Sequence, residues 1–345
     1  MNLKKTVSIL AVIILFAALG YGVILYKKAF TGNTKFEERE VYVHIPTDSN
    51  FEEAKAILGK YIKDMDAFQS IAGQFGYENN VIPGRFLLKK GMGNYELYQA
   101  LRQNLPLNVT FNNQETIQKL AGRLASQIEP DSVEILKAFT DEKFLKEAGF
   151  TKDDVLAMFL PNTFEFYWNT TPLKVRNTLH REYIKFWNED RIAKAEKLGL
   201  TPNQVSILAA IVQKETAKVD ERPKVAGAYL NRLNRDMLLQ ADPTVVYTKK
   251  LLSNDFDQVI KRVYLKDLQL DSPYNTYMYK GLPKGMIAMP DVTSIDAVLN
   301  PEKHDYIYFC ASVENIGYHA FAKTLEEHNQ NRQKYVEWLN KNNIE

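Results

Sequence analysis

The chain has 345 residues, 45% of them hydrophobic and 25% charged, which is ordinary for a globular protein and long enough for two domains with a large core. Its formal net charge of +2, without a basic cluster interleaved with aromatics, gives no reason to propose a nucleic-acid partner. One cysteine, Cys310, rules out an intramolecular disulfide; the five histidines show no metal-ligand spacing, and there is no phosphate loop or nucleophile elbow.

Val7–Tyr26 is apolar and uncharged, with Lys4-Lys5 before it and Lys27-Lys28 after. That length spans a hydrocarbon core, and Tyr26-Lys27-Lys28 makes a poor cleavage site, so the stretch reads as an uncleaved anchor rather than a signal peptide. Lysines on both sides leave the positive-inside rule undecided; the small size of the preceding segment puts the bulk of the chain on the far side of the membrane. Residues 27–40 read as a polar tether. Val41–Pro46 alternates like a strand, Phe51–Tyr61 and Asp64–Phe75 like helices, Arg85–Leu88 again like a strand, and Asn94–Asn104 like a helix. Leu107–Phe111 is a further strand, and Thr116–Ser126, Val133–Lys137 and Glu142–Ala148 are helices. Leu173–Leu198 reads as one long helical stretch with Tyr183, Phe186, Trp187 and Ile192 on its apolar side, ended by Gly199.

The next helix has a marked start: Thr201 as N-cap, Pro202 at the first helical position, Gln204 completing a capping box. Ile207, Leu208, Ile211, Val212 and Glu215 then share one face. Glu215 prolongs an apolar stripe, where desolvation raises a carboxyl's pKa and keeps its proton near neutrality, as an acid catalyst of glycosidic cleavage requires. A solvated glutamate paired with Lys214, Lys218 or Arg222 is the competing reading. Arg222-Pro223 opens another helix with Val225, Ala226, Tyr229, Leu230 and Leu233 buried; Asn231 and Arg232 either face a groove or satisfy backbone. Leu239–Thr244 is turn-rich and Pro273–Tyr277 a loop. Tyr306–Cys310 reads as a buried strand with a core thiol.

The run Ile211-Val-Gln-Lys-Glu-Thr216, then Glu221-Arg-Pro223, Asn231-Arg232, Leu239-Gln-Ala-Asp-Pro-Thr-Val245, Ser272-Pro-Tyr-Asn-Thr-Tyr277, Gly281-Leu-Pro283, Asn300-Pro301, Tyr306-Ile-Tyr-Phe309 and His319-Ala-Phe321 resembles the YceG-like family of endolytic murein transglycosylases. Several spaced motifs in one order make a specific signal. The resemblance implies an α+β fold: a transmembrane helix at 7–26 after a cytoplasmic tail at 1–6, a tether at 27–40, a small LysM-like α/β module at 41–106 and a larger mixed α+β catalytic domain at 107–345. It makes Glu215 the catalytic residue and puts Gln240 and Asp242 in the cleft. Asn275 can donate to and accept from an acetamido sugar, and Tyr274 and Tyr277 can stack on pyranose rings. The chain departs from the family at 156–163, where Leu156-Ala157 and Pro161-Asn162-Thr163 replace an acidic-Gly pair and Pro-Asp-Thr; no functional carboxylate is carried onto Leu156 or Asn162.

The implied reaction cuts the bond between N-acetylmuramic acid and N-acetylglucosamine without water and leaves a 1,6-anhydro end, needing no metal or organic cofactor. The implied partners are peptidoglycan strands and penicillin-binding synthases of the elongation machinery, with the catalytic domain outside the cytoplasm. Two rivals remain: a lysozyme-like hydrolase using Glu215 with Asp242, and a non-catalytic glycan-binding scaffold acting through the LysM-like module.

Overall fold

Residues 3–342 are described by a computed structural model. Helix α1 (Leu3–Phe30) is longer than the apolar stretch itself, because Lys27 and Lys28 occupy its last turn, where the helix dipole favours cations. Its apolar side chains, Leu15, Phe16 and Ile24 among them, stand exposed. Among the described residues it is the one helix long and apolar enough to cross a membrane.

The segment after it is no loose tether. Asn33 and Thr34 are buried, and Asn33 donates to the Asp64 carbonyl (2.7 Å) and to Asn94 Oδ1 (2.6 Å) while accepting from the Asp64 N–H (2.8 Å). Asn94 in turn donates to the Lys28 carbonyl at 2.7 Å, tying down the end of α1. Gly93 permits that approach, since a Cβ there would lie 2.8 Å from the Ala29 carbonyl oxygen and the Phe30 backbone.

The chain divides into two compact units. The first runs to Val109 and takes in Gln127–Pro130 and Phe164–Thr171; the second holds Thr110–Ser126, Asp131–Thr163 and everything described from Pro172 on. In the first, β1 (Glu40–Ile45) pairs antiparallel with β2 (Gly84–Lys89), Val43 opposite Phe86. Helices α2 (Phe51–Leu58) and α3 (Met65–Gln74) lie between the strands in sequence, and α4 (Asn94–Ala100) follows. Strand alternation sends Val43, Ile45, Phe86 and Leu88 into one core with Leu58, Phe68 and Leu97. Asn50, rather than Asp48 or Ser49, caps α2, and Asp64 caps α3, each side chain accepting the backbone N–H three residues on.

Strand β3 (Pro106–Phe111) pairs with β4 (Asn162–Tyr167). Between them run α5 (Ile117–Ala125), α6 (Ser132–Phe139) and α7 (Glu142–Ala148). The expected single helix at 173–198 is two: α8 (Pro172–Phe186) and α9 (Glu189–Lys197), broken where the Asn188 side chain caps the second. Trp187 is buried at the break, whereas Ile192 is exposed, so the apolar side does not run through.

Helix α10 (Pro202–Glu215) starts with the capping box at Thr201 and Gln204. It is buried all round from Val205 to Val212, not along one face only. Ser206, Ala209 and Ala210 fill the side opposite the large residues and let neighbours close in: α11 (Arg222–Asn234), α12 (Asp242–Ser253), α13 (Val292–Leu299) and α9 all pack on it. The antiparallel pair β5 (Tyr308–Ala311) and β6 (His319–Ala322) and the helix α14 (Leu325–Lys341) complete the second unit. Cys310 is half-buried on β5 rather than in the core; partial burial pushes its thiol pKa up.

Candidate active site

Glu215 is the last residue of α10, where the buried helix reaches a cleft of about 590 Å³. The residue is half-buried, and its Oε2 is shut off from solvent with no hydrogen-bond partner among the described residues. Burial, helped by the negative charge of Asp242, pushes the carboxyl pKa up to about 7; the Tyr229 hydroxyl and the Arg232 guanidinium oppose that rise. The helix end thus holds an acid that keeps its proton up to about neutral pH.

Another wall comes from α12, whose start is set by the loop before it. Gln240 adopts a left-handed backbone (φ 49°), and its N–H bonds the Thr276 carbonyl at 3.0 Å. The Ala241 N–H donates to Thr276 Oγ1 (3.0 Å), which also meets Thr244 Oγ1 at 2.9 Å. This weld fixes Asp242 at the N-terminus of α12 and brings Tyr277 to it: the Tyr277 hydroxyl donates to Asp242 Oδ1 at 2.6 Å. Asp242 itself is exposed and lines the cleft with Glu215. Gln240 is exposed too, with its Oε1 3.4 Å from Arg232 Nη1.

Two of the expected sugar contacts lie elsewhere. Asn275 is fully buried, and its amide is spent on its own loop: Nδ2 donates to the Leu268 and Leu270 carbonyls (3.0 and 2.8 Å), and Oδ1 accepts from the Tyr277 N–H (3.0 Å). That leaves no group for an acetamido sugar. Tyr274 is buried, donates to Asp153 Oδ1 at 3.0 Å and lines a neighbouring hollow of about 460 Å³ that shares Glu115 and Tyr247 with the cleft. Asn231 and Arg232 serve backbone: Asn231 donates to the His304 and Tyr306 carbonyls, and Arg232 to Ile307 and Leu239 (2.5 and 2.7 Å). Arg232 is therefore a fixed buried cation that acts on Glu215 through its charge.

Sequence reasoning missed Glu115 in the cleft and the contact of buried Tyr229 with Glu215. Glu115 bridges Lys214 (2.9 Å) and Lys250 (2.7 Å). Burial alone would raise its pKa, but the hydrogen bonds and charges of Lys250 and Lys214 outweigh burial and hold it below the usual range. Tyr229 was read only as core. A glutamate a hundred positions before its lysine partner, and a tyrosine on a buried helix face, carry no local signal.

The pattern of the YceG-like family matches residues 43–334, most of the chain. The chain belongs to that family. A Bacillus subtilis (strain 168) protein named endolytic murein transglycosylase is 29% identical over 338 residues, covering 91% of this chain and 90% of that protein. A Streptococcus pneumoniae (strain D39) protein of the same name is 35% identical over 138 residues, 40% of this chain but only 24% of its own length. The crystal structure of a putative YceG-like protein from Listeria monocytogenes superimposes with a TM-score of 0.57 at 26% identity, covering 85% of this chain and 99% of that one.

Proposed function

We propose that this protein is an endolytic lytic transglycosylase of peptidoglycan and that Glu215 is its acid and base. The observation that carries the reading is the desolvated Glu215 carboxyl, protonated near neutrality on the wall of an open cleft. Glu215 gives its proton to the oxygen between N-acetylmuramic acid and N-acetylglucosamine as the bond from C1 breaks. The muramyl acetamido group stabilises the cationic C1. The Glu215 carboxylate then takes the proton of the muramyl 6-hydroxyl, whose oxygen bonds to C1 and closes the 1,6-anhydro ring. The carboxyl ends as it began, no water is consumed, and one glutamate suffices. Asp242, braced by Tyr277, keeps the Glu215 proton in place by repulsion.

Helix α1 serves in this reading as a membrane anchor, with the second unit outside the cytoplasm, where nascent strands are made and where penicillin-binding synthases are its partners. The strand–helix–helix–strand order of the first unit supports reading it as a LysM-like glycan contact. A hydrolase has one observation in its favour: Asp242 lines the same cleft as Glu215 and could activate water.

Glu215→Gln tests the assignment. It keeps the shape and removes the transferable proton, so turnover of purified peptidoglycan should fall at least about a hundredfold with the circular dichroism spectrum unchanged. Retained turnover would move the acid elsewhere.

A further inference from the structure

Four cationic side chains, Lys214, Lys250, Lys261 and Arg262, line the cleft beside the carboxyl groups of Glu115, Asp242 and Glu215. Two of the four are accounted for by Glu115. Lys261 and Arg262 are not: both are exposed, and neither forms an ion pair among the described residues. They sit on an irregular segment, residues 255–266, that is pinned at both ends. Lys119 Nζ holds the Phe256 carbonyl (2.9 Å) and Asp257 Oδ1 (2.6 Å); Asp267 Oδ2 holds Lys249 Nζ (2.7 Å) and the Tyr264 N–H (2.9 Å). From the same segment Ile260 and Val263 also line the cleft. The fold therefore anchors a strap that carries at the cleft wall two cations with no ion-pair partner among the described residues; the one intramolecular contact given for them is the Arg262 guanidinium 5.9 Å from the Tyr264 ring of the same strap.

The sugar rings of the proposed substrate are neutral, and its negative charge lies on the peptides that branch from the muramyl lactyl groups. We propose that Lys261 and Arg262 form an anion subsite that takes the carboxylates of the stem peptide, so that the cleft selects peptide-bearing strands. This rests on the reading of the cleft as a peptidoglycan site. The guanidinium can pair with a carboxylate through two parallel bonds, and the ammonium adds a second point charge.

The test uses full-length protein in detergent and soluble uncrosslinked strands that carry stem peptides, before and after their carboxylates are converted to amides with a carbodiimide and methylamine. Wild-type protein should show a KM about three- to tenfold higher on the amidated strands, the scale of one or two exposed ion pairs, with kcat unchanged. The Lys261→Gln/Arg262→Gln double variant should show the higher KM on both substrates and no response to amidation. An equal wild-type KM on the two substrates, or a double variant that responds to amidation as wild type does, overturns the subsite. Failure of the underlying reading is distinct: no strand of either kind would then yield 1,6-anhydro ends.

Discussion

At Glu215 two demands meet that ordinary folding keeps apart. A carboxyl at the end of a helix buried from Val205 to Val212 loses solvation, and its Oε2 gains no partner among the described residues in return. The raised pKa follows from that placement, and Asp242 adds to it. The direction of the pH dependence follows too. The donor is the protonated form, so activity should fall as pH rises through about 7. Replacing Asp242 with Asn removes a negative charge that favours the proton, so the alkaline limb of the kcat profile should move to lower pH. A limb that stays put would mean that Asp242 does not bear on the acid. Sequence gave the register of Glu215, because the capping box fixes where α10 begins and the apolar spacing carries the phase to its end. It could not give Tyr229 or Glu115 as neighbours, since those contacts arise only when distant segments pack.

At the scale of elements, the cleft depends on one loop holding another. Asn275 organises residues 268–277, Thr276 locks that loop to the turn before α12, and Tyr277 then reaches Asp242. Asn275 was expected to contact sugar because an exposed amide suits an acetamido group; its complete burial gives it internal duties instead. Asn275→Ala would strip two buried carbonyls and one N–H of their partner. It should destabilise the fold by about 2–4 kcal/mol, read as a lower denaturant midpoint. An unchanged midpoint would show that water replaces the amide freely. The strongly capped helix was legible: α10 starts where Thr201, Pro202 and Gln204 place it. The turn-rich stretch Leu239–Thr244 contains the start of α12, because Asp242-Pro243 starts turns and helices alike, and only the apolar run after it, set against α10, decides for a helix.

For the whole molecule, the alternation of strand and helix and the apolar N-terminal stretch made an α+β protein with one candidate span readable, and the motif order made the family readable. The polar residues after the span looked like a linker, yet Asn33 and Asn94 turn them into part of the first unit's packing. Charge density describes what water tolerates, and it does not reveal a buried amide network. The anchor reading carries its own test. A reporter that works only in the cytoplasm, fused after residue 345, should be silent, and a working reporter would place the second unit on the wrong side of the membrane.

The central claim is that Glu215 alone exchanges one bond to C1 for another without water. Digestion of purified peptidoglycan in heavy-oxygen water, followed by mass analysis of the released muropeptides, tests it most directly. The account predicts 1,6-anhydro ends, one water lighter than reducing ends and free of label, because the attacking oxygen comes from the sugar. Labelled reducing ends would contradict it and make the protein a hydrolase.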